Sequence, residues 1–118
     1  MYKRIIAKSK DGHLCDSISE VLIDNWLYKN NILHEKDIQY PNTNHKTDWR
    51  INRNNQVTFV EYFGLANDSP RYDRSIREKE NLCKEQSIRL IKIYPKDLYP
   101  KIYLENNLKN KFEYFLDV

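Results

Sequence analysis

The stretch Asp48-Trp49-Arg50-Ile51-Asn52-Arg53-Asn54-Asn55-Gln56-Val57-Thr58-Phe59-Val60-Glu61-Tyr62-Phe63-Gly64 decides how this chain folds. Two β-branched and aromatic runs, 48–51 and 57–64, flank a polar break at 52–56, which is the pattern of a β-hairpin; five break residues leave more than one turn geometry open. Side chains alternate along a strand, so Asp48 shares a face with Arg50, and Glu61 with Phe59 and Phe63. If the hairpin brings those faces together, two carboxylates converge at one end of a sheet. An acid inside a run as apolar as 57–65 needs a charge, a metal or a hydrogen-bond donor beside it, and a metal site is the first reading.

Outward from the hairpin, the chain alternates helix and strand signals. Asp11-Gly12 marks a turn after a basic lead-in, and Asp16-Ser17-Ile18-Ser19-Glu20 opens a helix expected to run to 30–31. Ile18, Leu22 and Trp26 stack on one side of it, with Ile23 and Leu27 widening the apolar face. Glu20 stands on the margin of that face. Its alternative is structural: Ser17-x-x-Glu20 fits a capping box. Residues 32–40 read as a strand ended by Pro41. After Gly64, Ser69-Pro70 starts a helix to about Gln86, residues 88–94 form a short strand ended by Pro95, and Pro100 precedes a last helix lined by Leu104, Leu108, Phe112 and Phe115. The crossover from the third strand to the fourth makes that pair parallel. The expected fold class is α/β, a small mixed sheet flanked by helices in the order αβββαβ plus a C-terminal helix.

The 118 residues correspond to one domain, 1–118, with 31% charged, 40% hydrophobic and 13% aromatic residues, the profile of a soluble globular chain. A net charge of +3 suits a polyanionic partner without requiring one. Cys15 and Cys83 form no C-x-x-C pair, the N-terminal apolar run is too short for a signal peptide, and no stretch nears the roughly 20 apolar residues of a membrane span. These features predict a cytoplasmic protein with free thiols. His13, His34 and His45 show no zinc-ligand spacing and read as solvated or core histidines.

An acid on the first helix, one on the second strand, one on the third strand and a helix behind them resemble the PD-(D/E)XK (restriction-endonuclease-like) nuclease superfamily, over about residues 11–98. In detail the likeness is to small nuclease-like domains, some attached to helicases, whose third strand reads acid, two aromatic or apolar residues, then Gly. Here that is Glu61-Tyr62-Phe63-Gly64-Leu65, followed by Tyr72 and Lys79. The resemblance implies that Glu20 is the helix glutamate, Asp48 the metal-bridging aspartate, Glu61 the second metal-binding acid and the Tyr62 backbone carbonyl a further ligand. Two departures stand out: Thr47 where a Pro would precede the aspartate, and Phe63 where the lysine would stand. The superfamily includes members with the lysine moved to the following helix, and Lys79 is similar to that variant. Tyr72, Ile76, Lys79 and Cys83 follow the i, i+4, i+7, i+11 rows, so Lys79 lies in the stripe that faces the sheet unless it snorkels to solvent.

The implied activity is that of a Mg²⁺-dependent (or Mn²⁺-dependent) deoxyribonuclease, an endonuclease hydrolysing DNA phosphodiester bonds, phage or mobile-element encoded or acting on branched DNA. DNA is the expected partner and RNA the weaker candidate. Arg50, Arg53, Arg71, Arg74 and Arg77 are the candidate phosphate contacts. A homodimer or larger homo-oligomer suits a chain with so little surface for reading a long site. The alternative is a non-catalytic nucleic-acid-binding module with a degenerate nuclease fold.

Overall fold

The structure, a computed structural model, describes residues 7–116; most of the basic lead-in lies outside the described residues. A short antiparallel pair, β1 (Ala7–Lys8) and β2 (Leu14–Cys15), precedes α1 (Ile18–Lys29). Then come β3 (Glu35–Gln39), β4 (Lys46–Arg53), β5 (Gln56–Tyr62), α2 (Pro70–Glu85), β6 (Arg89–Ile93), α3 (Pro95–Leu98) and α4 (Leu104–Lys111). The main sheet is ordered β3-β4-β5-β6, antiparallel through its first three strands and parallel between β5 and β6. A mixed sheet between helices is thus present, as the crossover length predicts. Among the described residues no helix is long and apolar enough to cross a membrane.

The hairpin is tighter than its polar break suggests. Arg53 pairs with Gln56, so Asn52, Arg53 and Gln56 belong to the strands and only Asn54-Asn55 turns. Both turn residues take positive φ, 54° and 64°, which is what a two-residue turn compatible with strand twist demands and what Asn tolerates better than most residues.

Two strands begin later than expected, for one shared reason. At the end of α1, Asn31 adopts φ 58°, its N–H reaches the Tyr28 carbonyl, and the Ile32 N–H reaches the Leu27 carbonyl. At the end of α2, Ser87 adopts φ 57°, with Ser87 N–H on Lys84 and Ile88 N–H on Cys83. Both are Schellman caps made without glycine, each followed by an apolar residue that packs back on its own helix. Ile32 and Ile88 therefore close helices rather than open strands. Pro95, expected only to end β6, also occupies the first turn of α3, where Asp97 Oδ2 accepts the Tyr94 N–H at 2.8 Å.

The buried stripe of α1 differs from the apolar one. Ile18 is 53% exposed, whereas Glu20, Ile23, Asp24 and Leu27, at i, i+3, i+4 and i+7, are buried together with Trp26. Two carboxylates occupy the inward row, which is why hydrophobic periodicity misplaces it. Ile23, Trp26 and Leu27 meet Trp49, Ile51, Val60, Ile91 and Ile93 on one face of the sheet, joined there by Leu98, Leu108, Phe112 and Phe115. Trp26 Nε1–H donates to Glu105 at 2.9 Å and ties α1 to α4. The other face carries a smaller cluster, Tyr40, Phe59 and Cys83, under α2.

The turn yields a stability prediction. Asn55→Val should cost about 1–2 kcal/mol in urea unfolding, because a β-branched residue resists the left-handed region, whereas Asn55→Gly should be neutral or stabilising. Equal stability for all three chains would remove the backbone explanation of the register.

Candidate active site

The pairing of Trp49 with Val60 and Arg50 with Phe59 carries forward to set Asp48 opposite Glu61. Opposite residues of an antiparallel pair project on the same face, here the one that α2 covers. Asp48 Oδ2 accepts the Tyr62 N–H at 2.8 Å, so the Tyr62 main chain stands at the acid pair. Thr47 is fully buried, and its hydroxyl proton is shared between the Trp49 and Val60 carbonyls at 3.1 and 3.2 Å.

Glu61 is 2% exposed and has two partners. The Lys79 ammonium lies 2.8 Å from Oε2, and the Tyr40 hydroxyl donates to the same oxygen at 2.8 Å. Both converge on Oε2, so Oε1 is the oxygen through which Glu61 can reach a cation. Lys79 also donates to the Lys46 carbonyl at 3.1 Å, which fixes its stem along β4 and turns its ammonium inward from the solvent route. Phe63 is buried beside Tyr94, ring centroids 6.1 Å apart, so an apolar contact fills the position where a strand lysine would stand. Burial first, then the charge of Glu61, pushes the Tyr40 phenol well above its usual pKa, which keeps it a donor.

Glu20 divides its groups between the two roles expected of it. Its backbone N–H is capped by Ser17 Oγ at 3.2 Å, while its carboxylate turns to the Lys36 ammonium at 2.8 Å. The cap is real, and the side chain is directed elsewhere. Lys36 is a site residue that the sequence reading does not single out: its side chain is buried and its ammonium lies 4.9 Å from the centroid of the Trp49 ring. Burial disfavours that charge, but Glu20, with Asp48 and Asp37 beyond it, lifts the Lys36 pKa above the ordinary lysine value. Lys36 lies opposite Trp49 in the β3–β4 ladder, and that pairing sets it on the Trp49 face of the sheet.

Asp48 carries the strain of this arrangement. Burial, then the charges of Glu61 and Glu20, pushes its carboxyl up to about 8, against the opposing pull of the Tyr62 N–H and Lys36. Glu20 and Glu61 thus have an ammonium group each, and Asp48 has the Tyr62 N–H. The donors are carboxylate oxygens, which suit Mg²⁺ or Mn²⁺.

The arginines split into two groups. Arg50 is held by Glu35 through contacts of 2.7 to 2.9 Å, and Arg53 donates to the Phe115 carbonyl at 2.7 Å. Arg71, Arg74 and Arg77 are exposed at i, i+3 and i+6 of α2, the helix that delivers Lys79. Arg77 lines a cavity of about 610 Å³ with Asn67, Asp73, Tyr94 and Lys96; Asp48 and Glu61 are not among its lining residues.

The histidines fall into two settings. His45 pairs with Glu78 at 3.1 Å. His13 and His34 instead converge with Asp11 and Asp24, from three separate parts of the fold, with one potential ligand atom of each residue lying within 4.8 Å of the others. Burial opposes ionisation of Asp24, but the hydrogen bonds it accepts from His34, Trp49 and others hold its pKa well below the usual carboxylate range. No local spacing announces this group, because its members are 2, 11 and 10 residues apart in sequence.

A carboxyl with a pKa raised in the folded chain contributes stability while neutral; that contribution is full below its ordinary pKa and is lost as pH rises through about 8. In chelator, the protein should therefore melt at a lower temperature at pH 9 than at pH 6. Asp48→Asn, permanently neutral, should flatten that decline in scanning calorimetry. An unchanged pH profile in the variant would show that Asp48 ionises without cost.

No family model, no curated protein and no solved structure matches this chain, so its function has to be argued from the site itself.

Proposed function

We propose that this chain is a metal-dependent endonuclease of restriction-endonuclease-like architecture that hydrolyses DNA phosphodiester bonds. The observation that carries the reading is the opposition of Asp48 and Glu61 across β4 and β5, with a lysine from α2 bonded to Glu61 and a third carboxylate, Glu20, close enough to raise the Asp48 pKa. Asp48 Oδ1 and Glu61 Oε1 are the oxygens free to hold a divalent ion, with the Tyr62 carbonyl as a further ligand. When bound, such an ion supplies positive charge for the scissile phosphate and acidifies a water molecule.

The chain's own groups supply the rest. Lys79 brings a positioned ammonium to the acid pair, where it stabilises charge developing on phosphate or orients the attacking water. The Tyr40 hydroxyl holds Glu61 Oε2 and so fixes the rotation of that carboxylate. Glu20, anchored by Lys36, offers an acceptor for the water. Arg71, Arg74 and Arg77 form an exposed cationic row on the same helix as Lys79, suited to the phosphate backbone and independent of base sequence.

The test is cleavage of labelled duplex and branched DNA, with RNA of the same sequence alongside, in Mg²⁺, in Mn²⁺ and in chelator. Asp48→Ala should abolish metal-dependent cleavage. Glu20→Gln keeps the Ser17 cap and should lose activity at an unchanged melting temperature. Lys79→Met should slow the reaction by at least about a hundredfold, as does removal of one preorganised electrostatic donor. Because Lys79 is the ion-pair partner of a buried glutamate, the same variant should also lower the metal-free melting temperature, so rates are compared where circular dichroism shows both chains folded. DNA binding without cleavage in either metal would instead favour a non-catalytic nucleic-acid-binding module. Full cleavage by Asp48→Ala would sink the nuclease reading at this site.

A further inference from the structure

A second polar centre lies on the opposite side of Trp49, and its hydrogen bonding is incomplete without a positive charge at its middle. His34 Nδ1 is 2.7 Å from the Ile32 carbonyl, which only accepts, so Nδ1 bears the proton. In a neutral ring the other nitrogen, Nε2, would turn its lone pair to Asp11 Oδ2 at 3.0 Å and Asp24 Oδ2 at 3.1 Å, two carboxylate oxygens that also only accept, so this contact needs either a second ring proton or a bound cation. His13 Nδ1 faces the same pair of acids, 3.0 Å from Asp11 Oδ1 and 3.1 Å from Asp24 Oδ2. Asp24 is fully buried, and the His34 side chain is 3% exposed, so water does not resolve the conflict.

We propose that Asp11, His13, Asp24 and His34 form a structural binding site for a zinc-class divalent ion, separate from the Asp48–Glu61 pair. Bonds of about 2.0 Å from a tetrahedral zinc place neighbouring ligand atoms about 3.3 Å apart. The nitrogen–oxygen separations here are 3.0 to 3.1 Å, Asp11 presenting Oδ1 to His13 and Oδ2 to His34, and one ligand atom from each of the four residues lies within 4.8 Å of the others, so entry of the ion requires side-chain adjustment. Two imidazoles select zinc and its transition-metal neighbours over Mg²⁺ or Ca²⁺, which favour all-oxygen sets.

The surrounding contacts are those that orient ligands. The Ile32 carbonyl fixes the His34 tautomer, the Trp49 indole N–H donates to Asp24 Oδ2 at 2.9 Å, and Ser9 Oγ donates to Asp11 Oδ1 at 2.6 Å. Four protein ligands leave no open position, which is the mark of a structural rather than a catalytic zinc. The ion would join the turn between β1 and β2, the middle of α1 and the entry to β3.

The test uses purified full-length chain, stripped with chelator, reloaded with one equivalent of zinc at neutral pH and desalted before elemental analysis. One zinc per chain should remain, a Co²⁺-loaded sample should show the intense visible bands of tetrahedral coordination, and chelator should lower the melting temperature reversibly. His13→Ala removes the most exposed of the four ligands, and Asp24→Asn preserves shape; each should weaken zinc binding by at least about a hundredfold. The double variant Asp48→Asn, Glu61→Gln should retain the zinc, so failure here and failure of the nuclease reading are separable. A folded wild-type chain that keeps no zinc and whose melting temperature ignores both chelator and zinc overturns the proposal and leaves an imidazolium–carboxylate network. Zinc lost with Asp48 and Glu61 but retained in His13→Ala overturns it equally.

Discussion

The structure depends on one constraint, the register of β4 against β5. Side chains alternate with a period of two, so a slip by a single residue would send Asp48 to the opposite face and bury Trp49 where α2 now lies. The two-residue turn at Asn54-Asn55 prevents that slip locally, and the contrast between Trp49 and Ile51 on one face and Asp48 and Arg50 on the other enforces it globally. The acid pair, the seat of Lys79 and the contact of Asp48 with Tyr62 N–H all follow from this alignment.

Buried charge is the second organising feature. Each interior carboxylate has its own donors: Glu61 has Lys79 and Tyr40, Glu20 has Lys36, Asp24 has His13, His34 and Trp49, and Asp97 has the Tyr94 N–H. Pairs of this kind contribute little net stability, since desolvation offsets most of the attraction, but losing one partner is costly. Asp48 is the exception, with only a backbone N–H in direct contact among the described residues, and it is the carboxyl that holds its proton into the neutral range. Inequality among otherwise similar acids is a frequent property of sites built for chemistry.

Much of the sheet and its helices is legible in the sequence because it rests on local rules: alternation in 57–62, the Ser69-Pro70 start, the proline stops and the stripe that carries Lys79 to the sheet. The errors have physical sources. Ile32 and Ile88 look like strand residues because apolar character does not distinguish a Schellman closure from a ladder. The inward row of α1 is invisible to hydrophobic periodicity because Glu20 and Asp24 occupy half of it. The convergence of His13 and His34 with Asp11 and Asp24 is a tertiary fact, set by how β1, β2 and α1 pack, and no spacing encodes it. Lys36 is a tertiary fact as well: its place depends on Trp49 lying opposite it and on Glu20 arriving from another element.

Trp49 joins the two polar centres through one aromatic group. Its N–H edge meets Asp24, and its π face lies beneath the Lys36 ammonium that anchors Glu20. Indole emission is sensitive to charge placed along the ring, so this residue serves as a built-in fluorophore for both. The chain's other tryptophan, Trp26, reports on a different event, the docking of α4 through Glu105. Replacing Trp26 with phenylalanine would therefore leave a single chromophore whose spectral shifts separate ion binding beside Asp24 from charge rearrangement at Lys36, without any introduced label.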